Sequence, residues 1–592
     1  MSSLLNSLEQ SSQKILKTLK RFPLVALSAY LMTTILVALT AVKYGSMDHY
    51  PHYPLANKIA FVASLGIPLF LVLRLISKNW ILSLLGLISL GFYYEILPDQ
   101  FERNSMIMER HFLLIVALGL LTLVAPFLFR SINNRDFWEW VEQALFALLS
   151  ALLFGSILYL GISGGIYAFG KLFDITIHAR LYGQIALVVF GVFGVLYFLS
   201  QLPPYPRLVK SQPYSKVERI FTQFILTPLA LLYFVILYAY TFKILLFAQF
   251  PSGIMAWLIL VFSSVAIVTL LFWTPLWHAN NQHYRRWAWL AILLQIPVLA
   301  LSIYLRIEQY GITEHRYYIV LMGGWLLVIS LLFLLLRRAS YKWIFLLLSL
   351  LIIASQVGTY SAYAIAKQSQ TKQLQKLLNE RNTTQESNRS LSYQISSKLH
   401  YLYEQHGIES LQSTIPAIIE AYQKSEENLS QTHSEYHYFP RYAAQQLGIE
   451  YINAWNWQYA QDSKDHTLLI RSDQHLDLSR GIDVEGYEWI QSFYYQEGYR
   501  MREAPQGFTL HIDKERIRIT QKSKPRITLD LHDFITQLYQ STESQESLRP
   551  IKAMTYQYEN RQVAIKIIFD SIGFSSKHKI VHYGGTLFIH QK

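Results

Sequence analysis

Residues 317–336 read YYIVLMGGWLLVISLLFLLL, a run without one charge, bounded by Glu314 and Arg316 before it and by Arg337-Arg338 after it. A helix rising ~1.5 Å per residue needs ~20 such positions to cross ~30 Å of hydrocarbon. In that medium a helix also satisfies its own backbone N–H and C=O groups. Working outward, comparable runs lie at roughly 22–42, 59–76, 80–97, 112–129, 144–170, 182–202, 220–247, 255–276, 287–305 and 344–363. The pattern predicts an α-helical polytopic membrane bundle of about 11 transmembrane helices over residues 1–365. A polar region of about 225 residues, 366–592, follows it.

The charges between the runs alternate. With the N-terminus cytoplasmic, the inner segments carry 17 Lys and Arg, among them Arg21, Arg74 and Lys342, and the outer segments carry nine. That asymmetry predicts a cytoplasmic N-terminus, and an odd number of spans then puts residues 366–592 outside. The net charge of +13 and pI near 9.4 raise the question of nucleic acid. Residues 1–365 hold 26 Lys+Arg against 13 Asp+Glu, whereas residues 366–592 hold 26 against 26. The excess therefore belongs to the membrane half, and we read it as topology and lipid contact, with no nucleic-acid partner.

The chain has no cysteine, which excludes disulfides, thiolate metal sites and cysteine nucleophiles. The first apolar run follows Lys20-Arg21, is long for a signal peptide and has no A-x-A at its end, so we expect a retained anchor. Glu95, Arg74 and Lys243 fall near run ends, where long side chains snorkel to the interface. Gly161-x-x-x-Gly165, Gly170, Gly191 and Gly194 suggest close helix packing.

Two loops stand out. In Tyr310-Gly-Ile-Thr-Glu-His-Arg-Tyr317, Gly311 suits a positive φ, Thr313 suits a helix cap, and Glu314 lies by that helix's positive end. Lys243, Arg306, Glu308, Glu314 and Arg316 form the candidate outer-face cluster, read as a salt-bridge belt or as a site for an anionic head group or substrate. In Gly45–Pro54, Asp48, His49 and His52 carry metal-ligating groups, but a rigid aromatic interfacial loop is the plainer reading. We expect no metal site and no cofactor.

The string Arg306-Ile-Glu-Gln-Tyr-Gly-Ile-Thr-Glu-His-Arg-Tyr317, with Trp325 beyond it, resembles the bacterial membrane-protein family catalogued as domain of unknown function 4153. So do Leu226–Ile244, and Ser361-Ala-Tyr363 with Ser369-Gln370 and Leu374. Tyr310, Gly311, Thr313, Arg316 and Tyr317 are its family-motif positions. The resemblance covers most of residues 20–378 and implies a bacterial multi-pass envelope protein of the inner membrane. It implies no reaction, cofactor or catalytic residue.

Beyond the last run we expect an extracytoplasmic, periplasmic α+β domain over 366–592, with a helical stalk at 366–430 and a β-rich part at 449–592. Leu374, Leu377 and Leu378, and then Leu391 to Ile419, recur at helical spacing with a break at His406-Gly407. Segments 467–471, 508–512, 516–520, 526–530, 554–558, 563–568 and 586–589 alternate as half-buried strands, and 513–515 and 559–561 read as hairpin turns, giving an antiparallel sheet. Glu427, His433, Glu435 and His437 read as polar linker. The rings of Trp455, Trp457, Tyr459, Tyr487, Trp489, Tyr494 and Tyr495 read mainly as core.

No catalytic residue emerges: G-x-S-x-G, Walker and GxGxxG patterns are missing. The reading is a non-enzymatic envelope protein whose outward domain binds a partner protein or cell-wall polymer, with membrane lipids as its other partner. The alternatives are a transporter or flippase of a lipid-linked or anionic substrate, and a membrane enzyme acting on lipid-linked groups through Asp48 and the outer cluster.

Overall fold

The computed structural model describes residues 13–41, 53–99, 101, 104–203, 215–247, 254–277, 282–336, 338–383, 389–428, 438–452, 468–472, 487–496, 509–513, 515–521, 524–540, 546–561, 563–574 and 580–591. Outside these lie Asp48, His49 and His52 of the first outer loop, the residues His433, Glu435 and His437, the side chain of Glu427, and Trp455, Trp457 and Tyr459.

Each of the eleven apolar runs contains a helix. They form α1 (Pro23–Thr40), α2 (Tyr53–Ile76), α3 (Trp80–Ile96), α4 (Ser105–Val124), α5 (Asn134–Leu172), α6 (Ala179–Gln201), α7 (Lys216–Phe247), α8 (Ile254–Phe272), α9 (Gln282–Tyr310), α10 (Glu314–Leu335) and α11 (Lys342–Ala354). Nine of them, among the described residues, are long and apolar enough to cross a membrane, so the chain is a multi-helix membrane protein. The other two, α3 and α11, have 17 and 13 residues. Helix α11 stops where polar side chains take over its last carbonyls. Ser355 Oγ (2.7 Å) and Gln356 Nε2 (3.1 Å) both donate to Ile352 O, and Gly358 follows at φ +80. The apolar run 344–363 is thus a helix and a turn.

Helix starts follow side-chain capping. Asn79 accepts from Ile81 N at α3, Asn104 from Met106 N and Ile107 N at α4, and Asn133 from Asp136 N at α5. Ser215 and Glu218 make a reciprocal capping box at α7. Helix α7 widens to a π turn at Phe221–Leu226 because Pro228 has no N–H to offer. The Thr227 hydroxyl joins its own N–H on Thr222 O (2.7 Å) and accepts from Trp273 Nε1 (2.8 Å).

At one end of the bundle, basic residues counted in the inner set close on carbonyls at helix ends. Arg21 donates to Leu202 O and Pro203 O (2.8 and 2.6 Å), Arg74 to Arg21 O (2.9 Å), and Lys342 to Phe127 O and Arg130 O (3.3 and 2.9 Å). Carbonyls left over at helix C-termini favour such donors. Packing within the bundle is uneven. Of the apolar windows, 61% of that in α8 and 50% of that in α2 is buried, against 17% in α5 and α6 and 11% in α7. The glycines split the same way. A Cβ on Gly191 would stand 2.3 Å from Thr33 Oγ1, whereas Gly161, Gly164 and Gly165 meet nothing within 4 Å among the described residues. Close packing is realised at Gly170 and Gly191 and not at the Gly161–Gly165 pair.

The chain packs as two compact units. One comprises residues 1–387 with 398–448, and the other 388–397 with 449–592. Helices α12 (Ala362–Thr383), α13 (Arg389–His406), α14 (Pro416–Asn428) and α15 (Phe439–Gln446) follow the bundle, with Gly407 at φ +71 ending α13. The second unit holds β1 (Leu468–Ser472), β2 (Trp489–Gln496), β3 (Thr509–Ile512), β4 (Arg516–Gln521), β5 (Lys524–Asp530), α16 (His532–Gln540), β6 (Glu546–Arg549), β7 (Thr555–Glu559), β8 (Val563–Phe574) and β9 (Ile580–Gln591). One sheet runs β2-β9-β8-β1-β6 with β7 also on β8, and is antiparallel except for β1 with β6; β3-β4-β5 form a second, antiparallel sheet.

Strands β8 and β9 extend past their alternating segments because of a bulge. Burial follows Val563, Ile565, Ile567 and Phe569, then shifts to Ile572 and Phe574 after the irregularity between Phe569 and Ser571. Opposite it, a Cβ on Gly585 would stand 2.2 Å from Ile568 O, so only glycine fits. Strands β2 and β6 have no counterpart among the segments read from sequence.

Candidate functional site

The 306–317 string lies where α9 turns into α10. Tyr310 ends α9, and Gly311 turns the chain at φ +74 with its N–H on Ile307 O (2.8 Å). Helix α12 crosses close above. A Cβ on Gly311 would stand 2.9 Å from Gln373 Cγ and 3.0 Å from Gln370 Nε2, so both the conformation and the approach demand glycine.

The exposed carbonyls of the turn are then taken up one by one. Gln370, 1% exposed, donates through Nε2 to Tyr310 O (3.1 Å) and Ile312 O (2.8 Å). Ser369 Oγ accepts from Ile312 N (2.8 Å). Lys398 of α13 donates to Tyr310 O (2.7 Å) and to Gln370 Oε1 (2.5 Å). Burial, and then the nearby Arg316 charge, push the Lys398 ammonium down to about 8.

Glu314 opens α10 and is buried. Its carboxylate accepts from Tyr401 Oη and lies 3.2 Å from His406 Nε2, at an angle outside hydrogen-bond geometry. The contact is an ion pair when the imidazole is protonated. Burial and the carboxylate bond push the Tyr401 phenol well above its usual range. Thr313 occupies the N-cap position of α10, but its hydroxyl makes no capping bond. Tyr317 Oη reaches Tyr360 O at 2.9 Å.

Arg316 donates to Gly311 O (2.6 Å), and its guanidinium carbon lies 5.4 Å from the Tyr310 ring centre; that of Arg306 lies 5.7 Å from the same ring. Arg306, Arg316 and Lys398 therefore gather at Tyr310, while Glu314 is turned to Tyr401 and His406. Glu308 and Lys243 are exposed, and among the described residues neither makes a hydrogen bond or ion pair to this group. Gln370, Lys398, Tyr401 and His406 are partners that reasoning from the loop alone does not supply. The signal that was present is the Ser369-Gln370 and Leu374 string, since Ser369 and Gln370 grip the turn and Leu374 is fully buried.

A second polar group lies inside the bundle. His111, 5% exposed, stacks on Phe61 at 3.7 Å with Nε2 2.7 Å from Ser64 Oγ and Nδ1 3.0 Å from Tyr93 Oη. The Ser64 hydroxyl donates to Phe61 O (2.7 Å). A neutral ring satisfies the whole chain: Tyr93 donates to Nδ1, Nε2 donates to Ser64, and Ser64 donates to the backbone. The serine proton is already engaged, so the arrangement packs and bonds instead of generating a nucleophile. No group of three metal-ligating His, Asp or Glu side chains is found among the described residues.

The family model described as Domain of unknown function (DUF4153) matches residues 27–395. A curated relative, Uncharacterized protein PM1469 of Pasteurella multocida (strain Pm70), is 25% identical over 371 residues, which is 57% of this chain and 61% of that protein. The chain thus spans about three fifths of that relative's length. No solved structure matches. The chain belongs to the DUF4153 family.

Proposed function

We propose, from this family of unknown function as the premise, that the protein is a non-enzymatic, eleven-span envelope protein of the bacterial inner membrane. Its N-terminus is cytoplasmic, and its sheet-bearing part is periplasmic and binds a partner protein or envelope polymer. The bundle is the anchor. One observation carries this reading: the Tyr310 and Ile312 carbonyls and the Glu314 carboxylate of the family's motif turn are occupied in holding α12 and α13. Glu314 is held by Tyr401 and His406, and the Tyr310 and Ile312 carbonyls are held by Gln370 and Lys398. Groups occupied in this way suit a fixed mount better than a reacting centre or a moving gate. The 17-to-nine bias of basic residues supports the orientation.

The test uses the absence of native cysteine. With Gln537, exposed on α16, replaced by Cys, an impermeant maleimide is expected to label cells whose outer membrane alone has been permeabilised. Labelling only after lysis reverses the topology. A photo-crosslinking residue at exposed Ser492 on the end strand β2 is expected to trap one dominant partner, and the absence of any adduct counts against partner binding.

A further inference from the structure

The mount leaves a charge imbalance. Arg306, Arg316 and Lys398 converge on Tyr310, and among the described residues no carboxylate lies within ion-pair distance of any of them. Their contacts with protein are neutral: the Gly311 and Tyr310 carbonyls, the Gln370 amide and the Tyr310 ring. The nearest acids in sequence do not neutralise them. Glu314 is engaged by Tyr401 and His406. Glu308 stands two positions from Arg306, a spacing that does not face it on a helix.

Three partly buried cations with no carboxylate partner among the described residues repel one another: Arg306 and Arg316 share the Tyr310 ring, and Arg316 and Lys398 donate to the adjacent Gly311 and Tyr310 carbonyls. The Arg306 guanidinium makes no hydrogen bond to protein among the described residues, and Arg316 uses one donor on Gly311 O. Most of ten planar N–H donors therefore remain open beside a tyrosine ring that is 39% exposed. The cluster sits at the end of α9, an apolar helix long enough to cross a membrane, which is the depth of lipid head groups.

The geometry points to a binding site for one phosphate group at the membrane surface, held by Arg306, Arg316 and Lys398 beside Tyr310. Guanidinium forks match phosphate oxygens in bidentate fashion, the lysine adds a point charge, and the bound anion supplies the counter-charge that the fold omits. Phosphate from a phospholipid head group and free phosphate share this chemistry. The inference is independent of the partner and orientation argued above, because it concerns the cluster alone.

The full-length protein in neutral detergent would be titrated with phosphatidylglycerol, phosphatidylcholine and inorganic phosphate, following its thermal midpoint and the lipid retained in native mass spectrometry. Phosphatidylglycerol is expected to raise the midpoint, and phosphatidylcholine, whose phosphate is neutralised by its own choline cation and so supplies no counter-charge, is not; affinity should be about tenfold weaker in Arg306→Gln and weaker again in Arg306→Gln/Lys398→Gln. Arg306→Gln is the key variant because, among the described residues, that side chain makes no hydrogen bond or ion pair and touches only the Tyr310 ring. A response to inorganic phosphate that the same variants lose identifies a free anion as occupant, and its absence identifies the lipid; both support the site. Equal responses to the two lipids, or a phosphatidylglycerol response unchanged in Arg306→Gln and the double variant, overturn it.

Discussion

Leu232 on α7 is 56% exposed, while Ile567 on β8 is fully buried. The two side chains are chemically alike, and the difference lies in what surrounds each region. In the sheet unit the alternative to burial is water, so every second position of β8 turns inward and burial can be read from the letters. In the bundle the alternative is lipid, which costs an aliphatic chain nothing, so an apolar residue there reports the medium and not the core. Helices α7 and α8 make the point within one unit. Their most apolar stretches are similar in composition, yet 11% of that in α7 and 61% of that in α8 is buried.

The largest expected effect tests the sheet side. Phe569→Ala removes a ring packed against Phe493, Phe534 and Tyr583 and should destabilise the unit by ~3–5 kcal/mol, read as earlier proteolysis of the C-terminal part on heating. Little change would mean that the sheet core is not packed as described. Next, Gly311→Ala should cost ~1–3 kcal/mol through the positive φ alone, with a lower thermal midpoint in detergent. This would show that the bundle too is specific where backbone geometry, and not apolarity, decides.

The pH dependence at Lys398 is of the same order. Its folded value is about 8 against a usual 10.5, so between those values the unfolded chain binds the proton and the folded one does not. Stability therefore rises with pH across that window, and below about 8 the full penalty is present. The thermal midpoint of the wild type should climb from pH 8 to 10, and that of Lys398→Gln should lack this increment. The smallest effect belongs to Leu232→Ala, expected within ~0.5 kcal/mol of the wild type in a lipid bilayer. A loss near that of Phe569→Ala would break the comparison, because it would mean that α7 is covered.

The contrast also explains what was legible in the letters. Eleven helices could be read because a hydrocarbon solvent demands long uncharged runs, and the hairpins at 513–515 and 559–561 could be read because the flanking alternation sets their register. The break at 355–361 could not, since Ser355 and Gln356 are short interruptions whose effect depends on which carbonyls they reach. Strand β8 beyond Ile568 was hidden by the bulge, which moves the apolar positions to the other parity. At the motif turn, the roles of Gly311 and Glu314 as local features followed from composition. Tyr401 and His406 lie 87 and 92 positions from Glu314, and no local rule reaches that far.

Helix α5 carries a further consequence. Residues 144–170 contain no charged side chain and, at ~1.5 Å each, extend to about 40 Å, some 10 Å more than the hydrocarbon of a typical bilayer. Such hydrophobic mismatch is relieved when the helix tilts or when neighbouring acyl chains stretch, each at a modest cost per ångström. Among the described residues, most of this stretch is not covered by neighbouring helices, so part of the adjustment falls on the lipid. Acyl-chain length is therefore a variable to which this protein should respond: reconstitution in short-chain lipids tilts α5 further from the bilayer normal, and thicker bilayers let it stand upright.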